Sequence, residues 1–159
     1  MQGYLMEQLS LPAKLDSLEE IGKFVVRATT QAKLATKVAY GLRLAVDEIA
    51  TNIVTHGYKE AGIIGEITIS AALTDSSLTV VLEDGGIPFD PLSHPLPGED
   101  ELNLPLEDRP VGGLGIFLVL KGVDAFQYER AHDLNRNIFV VNRTPDCTAR
   151  RDAAGLAGQ

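Results

Sequence analysis

The sequence predicts an α+β domain, a two-layer sandwich in which helices cover one face of a mixed, mostly antiparallel sheet. Three observations carry this expectation. Apolar residues recur at helical spacing in two segments before residue 58 and again after residue 112, while period-two alternation marks segments between and after them. The resulting order is strand, helix, helix, strand, strand, long loop, helix, strand, strand, which departs from the strand–helix repetition of a doubly wound sheet. With 159 residues, 45% of them hydrophobic, the chain can fill one core of ordinary size, so a single domain over 1–145 is expected, followed by a frayed tail at 146–159.

Taken in chain order, "YLMEQLSLPA" partly alternates and stops at Pro12, which suits a first strand at a sheet edge. "SLEEIGKFVVRATTQA" opens with Ser17 as an expected N-cap and sets Leu18, Ile21, Val25 and Ala28 on one helical face. From Thr36 a second helix runs to His56 with Leu44, Ala45, Ile49 and Ile53 as its apolar stripe, and Gly57 is expected to end it in the left-handed conformation. "GEITISAALTDSSLTVVLEDGG" reads as a hairpin turning at "TDSS", with Ile67, Ile69 and Ala71 pointing one way. Residues 87–110 are rich in proline and acids and lack periodicity, a pattern typical of a functional loop or of a disordered segment. "GGLGIFLVLKGV" resumes as a helix entered through glycines, and "AFQYER" with "RNIFVVNR" forms a second hairpin around "AHDLN".

Composition excludes several function classes. The formal net charge of −8, from 22 acidic and 14 basic side chains, would repel a phosphate backbone, so nucleic acid is not an expected partner; a basic protein surface is a better one, although moderate acidity is also the usual state of a soluble cytosolic protein. Cys147 is the single cysteine, leaving no intrachain disulfide or zinc cluster. No stretch approaches the roughly 18 apolar residues of a membrane span, and the first residues lack a signal-peptide pattern, so a cytoplasmic protein without membrane contact is expected.

Three short segments carry possible chemistry. Glu48 and Asn52, four residues apart, share one helix face. A carboxylate there can take a proton from an attacking hydroxyl, and an amide oxygen is a hard neutral ligand suited to Mg²⁺. In "EDGGIPFD", Asp84 ends a strand and is followed by Gly85 and Gly86, so a flat ligand can lie on the bare backbone while the carboxylate accepts from an amino group. In "RPVGGLGIFLV", Gly112, Gly113 and Gly115 open an apolar helix whose free N–H groups suit phosphate oxygens. Alone, these segments more often mean a solvated helix face, an ordinary turn and glycine packing. Their order is more specific than any one of them.

Glu-x₃-Asn, then Asp-x-Gly, then a variable loop, then Gly-Gly-x-Gly resembles the N, G1 and G2 boxes of the superfamily of gyrase, heat-shock chaperone, histidine-kinase and mismatch-repair ATPases, whose nucleotide-binding domain is the Bergerat (GHKL) fold. Within it, "AVDEIATNIVTHGY", "DGGIPFDP", "RPVGGLGIFLV" and "VDAFQYERAHDLNRNIFVV" resemble the stand-alone anti-sigma factor serine kinases of the RsbW and SpoIIAB type, over about Leu11 to Arg143. That resemblance implies ATP and Mg²⁺ as cofactors, with Glu48 as general base, Asn52 as metal ligand, Asp84 and Gly86 on the adenine side, and Gly112, Gly113, Leu114 and Gly115 around the phosphates. It also implies an ATP lid over about 91–111, a STAS-type anti-sigma factor antagonist as substrate, a sigma factor as second partner, and a homodimer. Arg109 would either neutralise the γ-phosphate or remain a solvated lid residue, and either Lys23 or Arg27 would occupy the partner-contacting position of the first helix. His56 reads as a structural hydrogen-bonding residue, and Lys121 as a surface one. Two other readings stand beside the kinase: a nucleotide-dependent protein-binding switch without turnover, and a histidine-kinase catalytic domain, which lacks here the upstream hairpin bearing a phosphoacceptor histidine.

Overall fold

The computed structural model describes residues 3–93 and 113–144. Most of the expected lid, with Arg109 and Gly112, and the tail at 146–159 lie outside them. Strands β1 (Tyr4–Pro12), β2 (Glu66–Leu73), β3 (Ser77–Asp84), β4 (Ala125–Ala131) and β5 (Leu134–Asn142) form one sheet of order β1-β2-β3-β5-β4. Every pairing among the described residues is antiparallel, so the sheet is more uniform than the mixed one expected. β1 lies at an edge, as its proline suggests, with a register shift between Leu5 and Glu7.

Helices α1 (Leu18–Gln31), α2 (Thr36–Asn52) and α3 (Gly113–Gly122) supply the second layer. Period-two burial along β2 and β3 turns Ile67, Ile69, Ala71, Leu78, Val80 and Leu82 toward Phe24, Val25, Leu42 and Ile49 of the helices. Full burial of such a side chain stabilises the fold by about 1.5–3 kcal/mol relative to leaving it in water.

The helix details depart from expectation in three places. Ser17 makes no side-chain cap; it has helical dihedrals and ends a short 3₁₀ turn over Leu15–Ser17 that leads straight into α1. Leu44 is 41% exposed, and the buried face of α2 is Leu42, Ala45, Val46, Ile49 and Ala50; at about 100° per residue Leu44 falls on the opposite side of the helix from these residues. Gly57 does not end the helix. The chain continues as a π-helical turn over Ile53–Lys59, and the left-handed glycine is Gly62, at φ 67°.

α2 and α3 touch backbone to backbone. A β-carbon on Gly122 would lie 2.7 Å from the Gly41 carbonyl oxygen, and one on Gly115 would lie 1.9 Å from Glu48 Oε1. Seven residues separate Gly41 from Glu48, and seven separate Gly115 from Gly122, so the helices run antiparallel in step over two turns. This packing delivers the first turn of α3 to Glu48.

Candidate nucleotide site

The site is built around the turn that follows β3. Asp84 is only 3% exposed, and its Oδ1 accepts from the Gly86 N–H at 3.0 Å and from Asn135 Nδ2 at 3.0 Å. Tyr58, carried inward by the π-helical turn, accepts from the Gly85 N–H at 2.8 Å and donates to the Glu66 carbonyl at 2.9 Å. The Ile87 N–H donates to the Gly57 carbonyl at 3.1 Å, and a β-carbon on Gly86 would come within 2.6 Å of that same oxygen. Gly57 and Gly86 are therefore a close backbone contact between the π-helical turn and the strand end, and it is at Gly86 that a β-carbon has no room.

Beyond this turn the chain enters "PFDP". Phe89 stacks on the His56 ring at 5.2 Å, while His56 Nδ1 lies 2.9 Å from Glu60 Oε2. His56 thus has the structural hydrogen bond expected of it and also braces the segment leading out of the turn.

Glu48 and Asn52 project from the last two turns of α2, each partly buried. Burial raises the Glu48 pKa, the neighbouring Asp47 charge raises it further, and a hydrogen bond with Asn52 offsets part of the rise. Burial likewise raises Asp84, against the hydrogen bonds from Asn135 and the Gly86 N–H and the attraction of Arg130. Glu48 and Gly57 lie nine residues apart on one continuous helix, roughly 13 Å along its axis, too far for both ends to grip a single small group. A ligand that touched both ends would have to be extended, with one part at Asp84 and another at the Glu48–Gly115 contact.

The geometry brings together Glu48, Asn52 and Gly115 at one end and Asp84 and Gly86 at the other. Gly113 is the first residue of α3 and Leu114 the second. Lys23 pairs with Glu19 and Glu20 at 3.5 Å, whereas Arg27 forks onto Glu7 of β1 at 2.9 and 3.3 Å. Sequence reasoning missed Asn135 and Asn137, both buried on β5. The signal was available: in "LNRNIFVVN" both asparagines share the inward parity of Phe139 and Val141.

Among the described residues two buried side-chain acceptors have no partner: Asp84 Oδ2 and Asn137 Oδ1. Orphaned acceptors facing the helical layer are complementary to an amino-bearing planar base, since each is otherwise costly. Among the described residues no group of three or more His, Cys, Asp or Glu could hold a metal ion; Asn52 offers a hard amide oxygen to any cation brought in with phosphate and water oxygens.

The family model for the histidine kinase-like ATPase domain matches residues 11–140. A serine-protein kinase RsbW of Bacillus cereus (strain G9842) is 30% identical over 128 residues, covering 80% of this chain and 79% of that protein. The chain belongs to the RsbW family of histidine kinase-like ATPases. RsbW of Bacillus mycoides (strain KBAB4) matches at 30% identity over the same shares of both chains. The fold agrees with the RsbU and RsbW domains of Rv1364c from Mycobacterium tuberculosis at TM-score 0.58 and 14% identity, covering 88% of this chain and 34% of the other. No helix among the described residues of this RsbW-family chain is long and apolar enough to cross a membrane.

Two expected outcomes follow from this site. Gly115→Ala places a methyl group where the flexible end of Glu48 now lies, so the carboxylate must move while the helix backbone need not. The melting temperature should change little, and any phosphoryl transfer that depends on Glu48 should fall at least tenfold; both are read from one purified variant.

The second outcome concerns pH. Asp84 has a folded pKa above its unfolded value, so between the two the native state binds more protons, and its contribution to stability declines as pH rises through that window. Asp84→Asn removes this titration. Denaturant unfolding from about pH 4 to pH 7 should show a flatter stability profile on the alkaline side for the variant, and an unchanged profile would contradict the assignment of a desolvated carboxylate.

Proposed function

We propose that this protein is an ATP-dependent protein serine kinase that phosphorylates a STAS-type anti-sigma factor antagonist and sequesters a sigma factor as a homodimer in the cytoplasm. The observation that carries the reading is the Glu48 carboxylate, partly desolvated and raised in pKa, lying against Gly115 in the first turn of α3. The relatives named serine-protein kinase RsbW support the choice of serine as acceptor.

In this reading Asp84 Oδ2 accepts from the adenine amino group, the bare backbone at Gly85 lets the ring lie flat, and Gly86 shapes that side of the pocket by admitting the Gly57 carbonyl. Asn52 Oδ1 binds the cation, and the N–H groups from Gly113 to Gly115 face the phosphates, where a helix N-terminus favours negative charge. When bound, ATP would supply the γ-phosphoryl group and Mg²⁺ would offset charge on it. Glu48 takes the serine hydroxyl proton as the Oγ–phosphorus bond forms and the bond from that phosphorus to the ADP oxygen breaks. A raised pKa improves Glu48 as a base, provided the pH stays above it. Arg109, in the lid, is the candidate to offset charge as it builds on the transferring group. The chain's net charge of −8 favours basic partner surfaces.

The test is incubation with Mg²⁺, ATP and the antagonist encoded beside this protein, followed by mass spectrometry of the antagonist. One phosphoryl group on a single serine is expected. An unmodified antagonist that is nevertheless captured only with ATP present would replace this reading by the switch without turnover.

A further inference from the structure

Asn135 sits directly across from Asp84 in the β3–β5 register and across from Arg130 in the β4–β5 register. Both ends of its amide are occupied. Nδ2 donates to Asp84 Oδ1 at 3.0 Å and to the Gly86 carbonyl at 3.1 Å, with the Ile87 carbonyl at 3.3 Å sharing a proton. Oδ1 accepts from the Tyr128 hydroxyl and from Arg130 Nη1 at 2.9 Å. A guanidinium has no acceptor, so Arg130 forbids the flipped amide and fixes which end faces Asp84. Arg130 also donates to the Gly86 carbonyl at 3.3 Å.

The consequence reaches the unpartnered oxygen. Asp84 Oδ1 already receives two hydrogen bonds, one from its own turn and one from Asn135, while Oδ2 is buried and empty. A carboxylate held in this way cannot rotate to exchange its oxygens without breaking both bonds. Resting on the ATP-binding reading above, we propose that Asn135, clamped by Tyr128 and Arg130, is a positioning residue that reserves Asp84 Oδ2 for the base and so sets a preference for 6-amino over 6-oxo purine nucleotides. The hairpin of β4 and β5, with left-handed His132 and Asp133 at its tip, is the part of the fold that presents this clamp.

The discriminating measurement compares ATP with inosine triphosphate, which carries the same triphosphate but an oxygen in place of the 6-amino group. The wild-type chain should bind ATP with a Kd lower by about 10- to 100-fold, because the oxo group sets acceptor against acceptor at a buried site. Asn135→Ala should narrow the ratio of the two affinities at least about threefold, chiefly by weakening ATP. Asn135→Asp keeps the acceptors for Tyr128 and Arg130 but turns the edge facing Asp84 from donor to acceptor, and it should narrow the ratio further. Arg130→Gln should narrow it partway. A general loosening would weaken both nucleotides together and leave the ratio alone.

Asp84→Asn separates this proposal from the reading beneath it. That variant presents an amide that can donate, so it should lose or reverse the preference. If Asp84→Asn changes the ratio while Asn135→Ala and Asn135→Asp leave it untouched in folded protein, the positioning role of Asn135 is overturned. If Asp84→Asn leaves the ratio at the wild-type value, the base reading at Asp84 fails instead, and the proposal fails with it.

Discussion

Asn52→Ala is expected to abolish Mg²⁺-dependent ATP binding while leaving the fold intact. The amide lies on the partly buried face of α2, one turn beyond Glu48, and contributes nothing to the apolar core. Alanine has the highest helix propensity, so the helix itself should not suffer. The loss comes from the cation: no described cluster of carboxylates could take over as ligand, and the triphosphate would meet the site without a neutralised charge. Removing an outer-shell partner of a metal typically costs 10–100-fold, and a direct ligand should cost roughly 100-fold or more. Calorimetric titration with ATP, with and without Mg²⁺, reads the effect, and a thermal melt checks the fold. Equal affinity in variant and wild type would remove Asn52 from the metal site.

Glu48→Gln is expected to separate chemistry from binding. Glutamine keeps the shape beside Gly115 and can still pair with Asn52, but it accepts no proton. Phosphoryl transfer to the antagonist should fall by about 10²–10⁴-fold, the usual range for general base catalysis, with the Kd for ATP within a few fold of wild type. Stability should hold or rise, because the variant no longer buries a charge that burial and Asp47 both disfavour. The wild-type rate should decline on the acid side at a pH above the ordinary glutamate pKa of about 4.3, since only ionised Glu48 can act. The variant should lose that acid limb. A variant that keeps its full rate would leave the hydroxyl proton to another acceptor and unseat the proposed mechanism.

Much of the architecture was legible because it rests on periodicity. Ile67, Ile69 and Ala71 alternate in the chain and are buried in the fold, and Ile21, Val25 and Ala28 recur at helical spacing and face the sheet. The pairing of Glu48 with Asn52 on one face was equally legible, since a separation of four is a property of any helix. Leu44, Ser17 and Gly57 were misread for two reasons. Leu44 is apolar but, at about 100° per residue, lies across the helix from Ile53 and so never shared its face, and an N-cap residue or a glycine becomes a helix end only if the chain turns there. Around Gly57 it does not, because the π-helical turn carries Tyr58 in to hold Gly85 and seats Gly57 against Gly86.

The sequence by itself determined the layers, the helix face bearing Glu48 and Asn52, and the strand end bearing Asp84, all of which depend on neighbours within a few residues along the chain. Only the tertiary structure decided that Gly115 meets Glu48, that Asn135 meets Asp84, and which carboxylate oxygen stays free. Those outcomes depend on helix packing and on strand register between segments some fifty or more residues apart. Hydrogen-bond capacity is a local property of each side chain, but whether it is spent is settled by whatever the fold sets beside it.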